Sequence, residues 1–129
     1  MAIELTFRAN AHRRLCIKKD LIELSQWIDT LSSINVELGY LILIDKQLIK
    51  DNSITVDLQG LRRKNTLLMG TLCRYEQELN TEYEFGKKEY NVTRAKEHEK
   101  KRDVNSAFIQ EFTQLKKRMY IKLSKYRWR

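Results

Sequence analysis

The chain has 129 residues, 42% of them apolar and 33% charged, with no proline, four glycines and a net charge of +8. A chain of this length has room for one domain, and its apolar content argues against general disorder. Without proline, and with abundant Leu, Ile, Lys and Glu, the chain lacks the main helix breakers and favours long, uninterrupted helices.

The opening residues, Met1 to Thr6, lack the basic start and long apolar core of a secretory leader, so none is expected. The most apolar window, Ile34 to Ile44, contains Asn35, Glu37 and Gly39 and is shorter than the roughly 20 residues a spanning helix needs. No transmembrane segment is expected. Cys16 and Cys73 are too far apart for metal-pair spacing, which fits free thiols in a cytoplasmic protein.

Helix one is expected over about residues 8–49. Ile17, Leu21, Leu24, Ile28, Leu31, Leu38, Ile42 and Ile49 follow steps of three and four, with Asn35 and Asp45 at the positions between, which is a heptad seam. A second stripe, Trp27, Ile34, Leu41 and Leu48, makes the apolar face wider than a two-stranded coiled coil needs and favours a bundle. Val36, Tyr40, Leu43 and Ile44 add a third flank, so this stretch is expected to be covered on several sides, by other helices or another subunit. The candidate oligomer or partner interface is Trp27, Ile34, Leu38, Leu41, Ile42 and Leu48.

The polar cluster from Lys50 to Ser53 marks a turn over about 50–54, with Asn52 and Ser53 able to cap the next helix. Helix two is expected over about 55–86, its seam running Leu58, Leu61, Asn65, Leu68, Leu72, Tyr75 and Leu79. The short connection makes the two helices antiparallel and brings Asn65 near Asn35, a candidate polar pair that sets register. Glu82 lies on the projected seam and marks where packing thins. Residues 87–103 are mostly Lys and Glu and read as a polar linker or an exposed helix, the latter continuing helix two to 102. Phe108, Phe112, Leu115, Met119, Leu123 and Tyr126 then define helix three over about 104–127, with Asp103, Asn105 and Ser106 as candidate caps.

The expected architecture is therefore all-α: a long antiparallel hairpin with heptad, coiled-coil-like seams plus a third, C-terminal helix. It is a single bundle over residues 1–129, completed by oligomerisation.

Few groups suggest chemistry. His98 stands between Glu97 and Glu99, whose side chains leave the helix on other faces, and His12 precedes Arg13 and Arg14. Neither has metal-ligand spacing. Gly39, Gly60, Gly70 and Gly86 are isolated rather than gathered in a phosphate loop. The carboxylates at 76, 78, 82, 84 and 89 lack the Glu-x-x-His pairs of a di-metal bundle. The expectation is a protein with no cofactor, no metal and no catalytic constellation.

Charge is unevenly spread. Residues 1–60 carry seven Lys or Arg against eight Asp or Glu, a net of −1, and residues 61–129 carry eighteen against nine, a net of +9. Beyond Glu111 there are seven basic residues and no acid, and Arg118, Lys122, Lys125 and Arg129 share one helical stripe near Tyr120, Tyr126 and Trp128. Arg118, Lys122, Lys125, Arg127, Trp128 and Arg129 are candidate contacts to nucleic acid, an acidic protein or an anionic membrane. The alternative is packing on the chain's own acids, Asp20, Glu23, Asp29 and Glu37. A second basic group, Arg13, Arg14, Lys18 and Lys19, is expected to approach Lys87, Lys88 and Arg94 at the end of the hairpin away from the turn. The leading functional expectation is a non-enzymatic helical scaffold or interaction subunit assembling, with itself or another helical protein, through the apolar face of residues 24–49. The alternative is a nucleic-acid-binding accessory protein using the basic C-terminal helix.

Overall fold

The computed structural model describes residues 2–86 and 88–125, and its described residues form an all-α, three-helix bundle without strands. Helix α1 spans Ala2–Ile44 and runs directly into a π-helical turn, Asp45–Ile49; α2 spans Asn52–Phe85 and α3 spans Val92–Ser124. Contacts of Arg13 with Glu82 and of Leu31 with Asn65 make α1 and α2 antiparallel. Those of Tyr75 with His98 and of Asp57 with Arg118 make α2 and α3 antiparallel in turn.

The turn after α1 is tightly specified. Lys50 takes a left-handed conformation (φ 53°) and returns its N–H to the Asp45 carbonyl at 2.6 Å. The cap of α2 is Asp51, not Asn52 or Ser53 as expected, and its carboxylate accepts from the amides of Ser53 (2.9 Å) and Ile54 (3.3 Å). Asp45 is buried, and its carboxylate accepts from the Asp51 amide (3.3 Å) and the Thr55 hydroxyl, so the wide turn is pinned to the start of α2.

The core of α1 is Ile17, Leu24, Trp27, Leu31, Ile34, Leu38 and Leu41, so the inward face combines every seventh residue of the expected seam with the stripe beside it. Leu21, Ile28 and Ile42 become a half-buried flank, and Asn35, which shares their side of the helix, is exposed. This corrects the expected Asn35–Asn65 pair. Asn65 is buried, but its Nδ2 donates to the Leu31 carbonyl at 3.0 Å, one turn short of Asn35. Leu48 does not follow Trp27, Ile34 and Leu41 inward: a π turn takes more residues than an α turn, so Leu48 lags behind the inward face and is exposed.

Helix α2 buries Ile54, Leu58, Leu61, Asn65, Leu72, Tyr75 and Leu79 at steps of three, four and seven, and α3 buries His98, Asn105, Phe108, Phe112, Leu115 and Met119. Helix α3 begins at Val92 rather than near 104, capped by Asn91, whose side chain accepts from the Arg94 amide at 3.1 Å. The expected caps near 103–106 lie inside this helix. The linker reading failed because the inward positions of the first turns are His98, Lys101 and Asn105, which hydropathy does not distinguish from surface.

Phe7–Ile49 is long and apolar enough, by length and composition, to cross a membrane, which the window 34–44 alone did not reveal. In the bundle the apolar residues of this stretch divide between the core and the opposite, outward side of α1.

Gly39, Gly60 and Gly70 lie inside helices where an added Cβ would meet nothing within 4 Å. Alanine at any of them should raise stability by about 0.5–1 kcal/mol, because glycine loses more backbone freedom in a helix. Alanine at Gly86 should do the reverse, since its Cβ would come within 2.5 Å of the Glu82 carbonyl oxygen. Thermal melts of the four variants check both signs.

Candidate functional site

The densest polar constellation lies where the three helices meet. On α1, Asp20, Glu23 and Trp27 are spaced by three and four residues and present adjacent side chains to the other helices. Tyr75 comes from α2, Tyr90 from the connection before α3, and His98 and Arg102 stand one turn apart on α3. His98 is 2% exposed. Its Nδ1 is 2.7 Å from the Tyr75 hydroxyl and its Nε2 is 2.8 Å from Glu23 Oε1 and 3.5 Å from Asp20 Oδ1. The Trp27 ring stacks on the imidazole at 4.9 Å between centroids, and the Lys101 ammonium sits 4.3 Å from the centre of the Tyr75 ring.

The bonding closes without a missing partner. Burial pushes the Tyr75 hydroxyl well above its ordinary pKa, with the Asp20 charge adding to it, so Tyr75 keeps its proton. In the neutral imidazole, Tyr75 O–H donates to Nδ1 and Nε2–H donates to Glu23. Arg102 grips the same carboxylate with two bonds of 2.7 Å, and the Tyr90 hydroxyl donates to Asp20. With both ring nitrogens engaged and the ring covered by Trp27, the arrangement holds helices together and offers His98 no opening to a substrate. Among the described residues no group of three or more His, Cys, Asp or Glu is placed to hold a metal ion.

The Arg102 hydrogen bond, opposed by burial and helped by His98, holds the Glu23 carboxyl at about 2, below its ordinary 4.5. Its stabilising contribution is therefore complete above about pH 4.5 and is lost as the pH falls from there toward 2. Glu23 is partly exposed, so solvent screening reduces the effect. Thermal melts between pH 5 and 2 should show wild type losing more stability than Glu23→Gln over that window; parallel curves would contradict the assignment.

Sequence reasoning set His98 aside because of its charged neighbours. The signal that finds it is the step of three and four running back from Phe108 through Asn105 and Lys101.

At the end of the bundle away from the turn, the buried Arg13 guanidinium donates to Asn10 Oδ1 (2.8 Å) and to the Glu82 carbonyl, which also accepts from the Gly86 amide (2.9 Å). Arg94 pairs with the Glu82 carboxylate at 3.1 Å and Arg14 lies 5.4 Å from the centre of the Tyr83 ring. Arg13, Arg14 and Arg94 thus do converge, but on Glu82 and the α2 terminus; Lys87 lies outside the described residues.

The basic face of α3 packs on the chain's own acids. Lys116 pairs with Glu37 (2.7 Å), Arg118 with Asp57 (2.7 Å) and Lys122 with Asp51 (2.8 Å). Of these three acids, the sequence led us to expect only Glu37. Lys125 is exposed at the end of α3, and Arg127, Trp128 and Arg129 lie outside the described residues.

Of the expected interface residues, Trp27, Ile34, Leu38 and Leu41 are buried by α2 and α3 within the same chain, and Ile42 is half-buried against that core. The apolar surface that α1 leaves open is on its other side. Leu15, Ile22, Val36 and Leu43 lie on one outward stripe, with Asp29 at the seven-residue position between and Tyr40 beside it; the five apolar side chains are 52–63% exposed. Comparison with protein-family models, with curated proteins and with solved structures finds no match to this chain.

Proposed function

We propose that the protein is a non-enzymatic helical scaffold that assembles with itself through the outward face of α1. The observation that carries this reading is the patch Val36, Tyr40 and Leu43, in line with Leu15 and Ile22, left open although the inward face of the same helix is fully used. Val36, Tyr40 and Leu43 are neighbours on one side of the helix, and adjoining exposed apolar side chains of this kind mark a contact surface. The spacing of three and four along all three helices supports coiled-coil-like packing, a rigid platform for that patch. Nucleic-acid binding has less support, because Lys116, Arg118 and Lys122 are taken up by Glu37, Asp57 and Asp51.

Light scattering coupled to size exclusion tests the reading with Val36→Glu and Leu43→Glu. Wild type should be oligomeric at high micromolar concentration, and each variant should be monomeric there with an unchanged helical spectrum. Variants that assemble as wild type does would overturn the choice of face.

A further inference from the structure

Gly39 is half-buried at the edge of the outward side of α1, within the helix, with open space where its Cβ would be and no turn or positive φ to require it. It adjoins Tyr40, the largest exposed side chain on that face, and is flanked by Val36 and Leu43. A glycine at such a place weakens its own helix. Gly60 and Gly70 carry the same cost, and what sets Gly39 apart is its place beside Val36, Tyr40 and Leu43, where it leaves room for the close approach of a body outside the chain.

Resting on the self-assembly reading above, we infer that the partner is a second copy whose α1 crosses the first antiparallel, about a two-fold axis between residues 39 and 40. Three features of the chain select this arrangement together. Size permits close approach, because this axis sets Gly39 of one copy against Gly39 of the other, where no side chain holds the two helices apart. Apolar surface is complementary, because the same axis sets Val36 against Leu43, one pair on each side, as a two-fold interface requires. Charge is complementary as well: Asp29, Lys46 and Lys50 have no ion-pair partner among the described residues, and this register brings Asp29 of one copy level with the Lys46–Lys50 end of the other. An axis at Asp29 would also pair apolar residues, Ile22 with Val36 and Leu15 with Leu43, but would set Asp29 against its own copy. The contact runs from Ser32 to Gln47, its α-helical part from Ser32 to Ile44 being about 18 Å long at 1.5 Å per residue, a small interface that forms and dissociates readily.

Cysteine cross-linking in the full chain, with Cys16→Ala and Cys73→Ala to remove the two free thiols, reads the geometry directly. Ser32→Cys alone and Gln47→Cys alone should give no cross-linked dimer on oxidation, and a mixture of the two should give one. Cross-linking of either variant with itself means parallel helices and overturns the inference while self-assembly stands; a monomer by light scattering at every concentration defeats self-assembly itself. Gly39→Leu adds a readout that misfolding cannot mimic. It should raise the melting temperature of the monomer, because the added side chain meets nothing, yet weaken the dimer at least about tenfold by holding the two helices apart where Gly39 meets Gly39. A dimer unchanged or tightened by Gly39→Leu contradicts the proposed axis.

Discussion

Replacing His98 with alanine should cost the bundle about 3 kcal/mol, a large share of the total for a chain of this size. The imidazole is 2% exposed, stacks on Trp27 and is the one group that bonds to both Tyr75 of α2 and Glu23 of α1. Removing it opens a cavity beside Trp27 and leaves the Tyr75 hydroxyl buried without an acceptor. Glu23 keeps Arg102, so its carboxylate is not stranded, which keeps the loss below that of a broken buried ion pair. Urea unfolding of His98→Ala, Tyr75→Phe and the double variant checks this. The single losses should exceed the double by more than about 0.5 kcal/mol, as expected for groups in one network. A loss under about 1 kcal/mol for His98→Ala would mean that the cluster does not hold the helices together.

The second large effect separates the two apolar sides of α1. Leu38 is 0% exposed, so Leu38→Ala should cost about 2–5 kcal/mol through lost transfer energy and an unfilled cavity. Two residues earlier, Val36 faces outward at 57% exposure, and Val36→Ala should change the stability of the monomer by no more than about 0.5 kcal/mol. Measured below the concentration of assembly, equal losses would mean that the inward and outward faces have been wrongly distinguished.

Much of this fold is legible in the sequence, and the departures have physical causes. Helix α2 is read nearly residue for residue because Leu58, Leu61, Leu72, Tyr75 and Leu79 form one apolar stripe with a polar surround. Helix α1 is apolar on two sides, so several stripes fit the same residues. Only α3, whose His98 stacks on Trp27 and whose Lys116 pairs with Glu37, decides which stripe faces inward. The first turns of α3 are hidden because their inward residues are His98, Lys101 and Asn105, whose burial depends on Glu23 and Tyr75, far away in sequence. Leu48 leaves the stripe of Trp27, Ile34 and Leu41 for a local reason, the π turn, which heptad counting cannot register.

The candidate contacts divide in a similar way. The charge asymmetry of the chain correctly identified α3 as basic, yet the pairing acids Asp51 and Asp57 sit at the start of α2, beside α3 only because the helices alternate in direction. The apolar surplus around residues 34–44 is plain in the sequence. Its inward half is core, and its outward half, Val36, Tyr40 and Leu43, is what the assembly reading rests on.

Sedimentation velocity of the unmodified chain from low to high micromolar concentration tests the central claim most directly. The account predicts a reversible shift from monomer to dimer as concentration rises, and its loss in Leu43→Glu with no change in melting temperature measured below the assembly range. A single monomeric boundary at every concentration would contradict it, and the outward face of α1 would then have no role in self-assembly.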